Sequence, residues 1–232
     1  MRKLIYIPVI HTEADMGSMA KQLYHQKLPV TAEKKRLLHV ETVNGFWNSI
    51  EIFLNHFQIP ENGLKIFQDG MFAEGKMAMT ILEEGIKSGS KNSVIVQNLI
   101  KQGATLIKTE DFTLVKEEYD QIQLILKAKN QFLRYFHLLK YKLLKSHFLM
   151  KRDKFISAAI NEALKPGETG ILFIGAYHNI KNRLPSDIEI IELKEPQKVR
   201  KYIHAIRLQR NPLDYILLSY YLKSPCTSFN NI

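Results

Sequence analysis

Two short apolar runs, each leading the chain toward a histidine, constrain this fold more than any other feature. Ile171 to Ile174, preceded by Gly170, continues through Gly175 to His178, and Leu4 to Ile10 continues directly into His11. Neither run is long enough to span a membrane, and neither alternates apolar with polar residues. Both are therefore expected to be strands buried on both faces, as in a parallel sheet. Gly175 permits a sharp turn or the close approach of another group. Open α/β sheets keep their binding crevice at the carboxyl ends of the strands, so His11 and His178 are expected at one rim.

The rest of the chain alternates helical and strand patterns. A short helix is expected at about 18–27 and a long one at about 32–57, with Thr31 as its N-cap. In the long helix Leu37, Val40, Val43, Phe46, Trp47, Ile50, Phe53, Leu54 and Phe57 recur at spacings of three and four, which predicts a buried stripe. Strand 64–67 ends at Asp69 and Gly70. Helices 73–87 and 93–102 follow, and strand 104–107 delivers Thr109, Glu110 and Asp111. From Phe112 to about Leu164 no Pro or Gly interrupts the helical pattern. That length predicts a projecting arm or hairpin, divided near 147–153. Strands 170–175 and 188–193 and helices 196–209 and 212–223 complete the chain. The expectation is a single α/β domain over 1–232. It has a mostly parallel sheet of about four to five strands flanked by helices, with a helical arm at about 112–150 within an insertion at about 112–164.

A chain of 232 residues can bury a sizeable core unaided. The single cysteine, Cys226, excludes an intramolecular disulfide and a cysteine-based zinc site. No signal peptide and no transmembrane helix are expected, so a cytoplasmic location is the default. The net charge of +10 is concentrated in two segments, residues 127–154 with +8 and residues 194–210 with +5, leaving −3 elsewhere. The first segment interleaves Lys129, Arg134, Lys140, Lys142, Lys145 and Lys151 with Phe132, Tyr135, Phe136, Tyr141 and Phe148. It is a candidate surface for an anionic partner, either nucleic acid phosphates or an anionic membrane. A solvated basic face on a core helix explains it equally. The long helices also admit a homo-oligomer.

Site candidates cluster at strand ends. His11, Glu13 and Asp15 place an imidazole and two carboxylates within five residues, a set suited to a divalent metal or to acid–base work. Asp15 also serves as a helix cap. His178 is singled out by its position, although a histidine bonded to backbone at a sheet end is the plain alternative. Tyr177 points the other way on an extended backbone and reads as packing or a substrate wall. Asp69 with Gly70 is a turn signal in its own right. Thr109 or Asp111 is explained as a helix cap, whereas Glu110 has no such role. Arg152 opens the helix before strand 170–175 and is expected near the end opposite His178 unless the arm folds back. His25, His39, His56, His137, His147 and His204 fall on predicted helices without a partner at ligand spacing. Walker A, GxGxxG, GxSxG and HExxH motifs are missing, which removes most support for nucleotide-dependent and serine-hydrolase readings.

The helix from Lys151, Arg152 and Asp153 to Leu164, then Pro166, the strand to Gly175 and His178, Leu184 with Pro185, and Ile188 to Leu193 resemble the C-terminal half of the TraB/PrgY-like group. That group belongs with the erythromycin-esterase-like and ChaN-like proteins. The resemblance implies an α/β fold with a helical insertion and a hydrolase-like, metal-dependent activity on a peptide or ester. His11 and His178 would be the paired site histidines and Arg152 the family arginine. The pattern departs from the group at Pro8 to Ile10 and at Gln68 and Asp69. The expected machinery is a divalent metal ion on His11, His178 and one carboxylate, Asp69 first, with Glu13 or Glu110 as general base. Arg152 would stabilise an anionic intermediate. The alternative is a non-catalytic module that binds a small ligand in the crevice, or nucleic acid or a partner on the arm.

Overall fold

The computed structural model describes residues 1–10, 30–208 and 212–226. The two apolar runs become β1 (Arg2–Val9) and β4 (Thr169–Gly175). They pair in parallel from Lys3 with Thr169 to Val9 with Gly175, so they end together. β2 (Leu64–Gln68) lies on the other side of β4, with β3 (Thr105–Ile107) beyond it, and β5 (Ile188–Glu192) flanks β1. The sheet is wholly parallel, in the order β3-β2-β4-β1-β5.

Seven α-helices flank it among the described residues: α1 (Val30–Asn55), α2 (Gly75–Lys87), α3 (Lys91–Lys101), α4 (Phe112–Leu126), α5 (Gln131–Ala163), α6 (Pro196–Leu208) and α7 (Pro212–Lys223). Alternate strand residues feed two cores, because successive side chains point to opposite faces. Ile5, Ile7, Ile171 and Phe173 pack with residues of α1, α2, α3, α6 and α7, including Trp47, Leu82, Val96 and Tyr202. Leu4, Tyr6, Leu172 and Ile174 pack with Ile156 and Ile160 of α5. Both faces are covered, which is why β1 and β4 lack polar alternation.

Three sequence expectations need correction. α1 buries Val43, Phe46, Trp47, Ile50 and Leu54 as anticipated, but Leu37 and Val40 stay exposed. At that end the helix turns other residues inward. His39 Nδ1 lies 3.0 Å from Tyr202 Oη on α6, and Thr42 Oγ1 lies 2.6 Å from Ser219 Oγ on α7. Thr31 is already helical rather than a cap. The insertion is a hairpin, but its break is at 127–130, not near 147–153. Asn130 starts α5 by accepting a hydrogen bond from the Leu133 N–H at 2.8 Å. α5 then runs unbroken for 33 residues, and Phe148 and Asp153, both within the expected gap, are buried contacts of the helix. The short helix expected at 18–27 lies outside the described residues.

α5 runs antiparallel to β4 and is pinned at its end. Arg2 of β1 donates to the carbonyls of Asn161 and Leu164 at 3.0 and 3.1 Å and pairs with Asp187. A cation there satisfies carbonyls that a helix C-terminus leaves unpaired. No described helix is long and apolar enough to cross a membrane.

Gly170 is needed where β4 passes between neighbours. A Cβ there would lie 2.9 Å from both Leu4 Cδ1 and Phe67 Cε2, and both side chains are fully buried. Gly170→Ala is expected to lower stability by about 1–3 kcal/mol through overpacking. Urea unfolding checks this; an unchanged midpoint refutes it.

Candidate functional site

Six strand-end and helix residues converge at the carboxyl edge of the sheet. Gln68 closes β2, and Asp69 follows it into a turn completed by Gly70 at φ +82°. β3 hands over to Thr109 and Glu110. The Thr109 hydroxyl accepts from the Gln68 N–H at 3.1 Å, and the Thr109 and Glu110 N–H groups both donate to the Met71 carbonyl. These bonds tie the β2 and β3 exits together. Asp111 caps α4 by accepting from Thr113 and Leu114 N–H, as the sequence suggests. Beyond β4, the His178 N–H donates to the Gly175 carbonyl at 3.0 Å, a tight turn that folds the imidazole back over the strand end.

Arg152 does not sit at the far end of the sheet. A helix running antiparallel to β4 carries its earlier residues over the strand's carboxyl end, so Arg152 and Asp153 arrive beside His178. Arg152 meets three carboxylates: Asp69, Glu110 at 2.6 Å and Glu118 of α4 at 2.9 Å. Asp69 reaches three ways. Its Oδ1 accepts from Arg152, and its Oδ2 accepts from the Gly175 N–H at 3.0 Å and faces His178 Nε2 at 3.3 Å. On the other side of the ring, His178 Nδ1 lies 2.6 Å from Asp153 Oδ1, while Asp153 Oδ2 accepts from the Asn179 N–H at 3.0 Å.

Burial and charge set the protonation states. Burial alone would depress the His178 imidazole, but the carboxylates of Asp69 and Asp153 outweigh it and raise the pKa to about 9. His178 is therefore an imidazolium at neutral pH, with a proton on each nitrogen, Nδ1 donating to Asp153 and Nε2 facing Asp69. Burial likewise opposes the charge on Arg152, and Asp69, Glu110 and Glu118 overcome it, so its pKa rises. Glu110 has no exposed surface. Burial pushes its pKa up, Arg152 draws it partly back, and Asp69 adds to the rise, to about 7. Its Oε1 takes both contacts from Arg152, while its buried Oε2 has no hydrogen-bond partner. Four carboxylates surround two cations, so the fully ionised cluster carries a net charge of −2.

The structure thus brings together His178, Asp69, Glu110 and Arg152 from the sequence candidates. His11 and Glu13 lie outside the described residues, as does Asp15. The described residues do not present an open metal site. Both His178 nitrogens face carboxylates, both Asp69 oxygens are engaged, and no group of three or more His, Cys, Asp or Glu side chains among the described residues is arranged to hold an ion. Two members, Asp153 and Glu118, are not among the sequence candidates. Asp153 carried a usable signal, as the single acid in the basic stretch 127–154. Glu118 carried none, being one of several acids on an amphipathic helix. The chain matches no family model, no curated protein and no solved structure.

The raised pKa of His178 links the cluster to stability. A group whose folded pKa of about 9 exceeds its reference value of 6.5 stabilises fully below the lower value. That stabilisation is lost as pH climbs through the higher one. The shift corresponds to roughly 3 kcal/mol. Glu110, raised from 4.5 to about 7, acts in the same direction at lower pH. Unfolding free energy is expected to fall between about pH 6.5 and 9, and His178→Gln is expected to flatten that fall. An equal slope in both proteins would show that His178 is not its source.

Proposed function

We propose that the chain is a hydrolase-like enzyme whose reaction centre lies at the carboxyl ends of β2, β3 and β4, with Glu110 as its acid–base group. The observation that supports this most is the buried Oε2 of Glu110, which lacks a hydrogen-bond partner beside a guanidinium. A buried acceptor left unpaired costs about 1–3 kcal/mol, and such strain collects at functional sites. A carboxyl group poised at about 7 can take a proton from an attacking water and return it to a leaving group, and because Glu110 has no exposed surface in this state, that exchange requires the cluster to open. Protonating Glu110 also relieves the excess negative charge of the cluster.

In this reading Arg152 is a positioning residue. It is committed to three carboxylates, so serving an oxyanion would require it to release one of them. Asp69 orients both cations, and Asp153 holds the imidazolium. The resemblance to the TraB/PrgY-like and erythromycin-esterase-like proteins makes a peptide or an ester the substrate class. The rival reading places a divalent ion on His11, His178 and Asp69. The net negative charge favours it, but it requires Asp69 to turn away from His178.

Glu110→Gln tests the first reading. On a panel of esters and peptides the substitution is expected to cost roughly 10²–10⁴-fold in kcat/KM. It should also abolish a kinetic limb near pH 7, without lowering the melting temperature. A variant as active as wild type would sink the assignment. Metal analysis of the purified protein tests the rival: an equimolar ion that His178→Ala loses would support it, and no ion in the wild type would remove it.

A further inference from the structure

The root of α5 is fixed in the cluster, and the nineteen residues before Met150 extend about 28 Å along the helix axis at 1.5 Å per residue. One side of this half faces α4. Tyr141 there donates to Glu118 at 2.9 Å, and Phe148 on the same side is buried. The opposite side carries Phe132, Phe136, Leu139, Leu143 and Met150, spaced by three and four or their sums, with Tyr135 at its margin. All six are exposed, Phe132 by 82% and Leu143 by 74%. At 3.6 residues per turn they form one apolar stripe. Lys140 flanks the stripe on one side and Lys142 on the other, each within roughly 80° of its midline.

We infer that this stripe is a docking surface for an anionic lipid membrane, on which the helix lies without crossing. Charge complementarity selects the occupant. Residues 127–154 carry +8 and contain no acid except the buried Asp153. A second copy would bring two such segments together and repel. An acidic partner helix would suit the charge, but a coiled-coil seam needs three to four heptads. This stripe spans fewer than three, and Ser146 interrupts it. Phosphates of a nucleic acid would use the lysines and leave five apolar side chains in water. An interfacial helix uses both: aromatic and leucine side chains enter the acyl boundary while flanking lysines reach lipid phosphates.

The test uses the whole chain and sedimentation with phosphatidylcholine vesicles, with or without about one-third phosphatidylserine. Binding is expected to the anionic vesicles alone and to weaken with salt. Because both positions are exposed, Phe136→Glu with Leu143→Glu should leave melting unchanged yet reduce vesicle partition about tenfold or more. Lys140→Glu with Lys142→Glu should also reduce it. In Phe132→Trp a blue-shifted emission is expected on anionic vesicles, reported against the single native Trp47. Failure to sediment at low salt overturns the inference, as does partition unaffected by the glutamates. A dimer by light scattering that the same glutamates dissolve would assign the stripe to a second copy and overturn it as well.

Discussion

Asp69 is the joint on which the carboxyl edge of this protein depends. One carboxylate accepts from the Gly175 N–H at the end of β4, faces the His178 ring and binds Arg152 of α5. Its own backbone extends β2, and its N–H donates to the Phe173 carbonyl of β4 at 2.8 Å. Two adjacent strands and the longest helix are therefore registered through a single side chain. Removing one partner from such a network leaves others charged and buried, which costs several kcal/mol. The same feature explains why Arg152 and Asp153 are consecutive. Their side chains diverge around the helix, one toward β2 and β3 and the other toward the turn after β4.

The network is overloaded with acid. Arg152 and His178 neutralise two of four carboxylates, and a low-dielectric setting makes the remainder expensive. The protein places this cost chiefly on Glu110, the most buried of the four, whose pKa rises to about 7. A group that exchanges a proton near neutral pH thus follows from packing an acid too many beside one arginine. The arrangement also roots the arm: Glu118 and Tyr141 join α4 to α5 immediately above the cluster. A rigid root carries a long helix whose apolar and basic side nothing described covers.

Much of this was legible in the chain. Unbroken apolar runs at β1 and β4 meant strands covered on both faces, and a wholly parallel sheet follows. Turn and cap chemistry at Gly70 and Asp111 read directly, because such signals act within a few residues. The hairpin break is not legible in the chain, since Asn130 is a weak local signal against a run with no Pro or Gly. Leu37 and Val40 fit the apolar spacing yet stay exposed, because spacing identifies a stripe but not how far its partner layer extends. For the site, strand ends pointed to Asp69, Glu110 and His178. The partners of each were invisible, because they lie 25 to 109 residues away in the chain.

The sequence by itself determined the α/β layering, the parallel pairing and the rim where charged groups gather, because periodicity and strand-end chemistry are local properties. Only the tertiary structure decided that Arg152 reaches that rim, that Asp153 holds His178, and that Glu110 is buried with one oxygen unpaired. Those outcomes depend on the direction in which α5 crosses β4 and on the balance of charges brought from four separate segments. The two strand-end histidines began as a matched pair. The structure sets His178 between two carboxylates, which makes it first an imidazolium in a charged lattice.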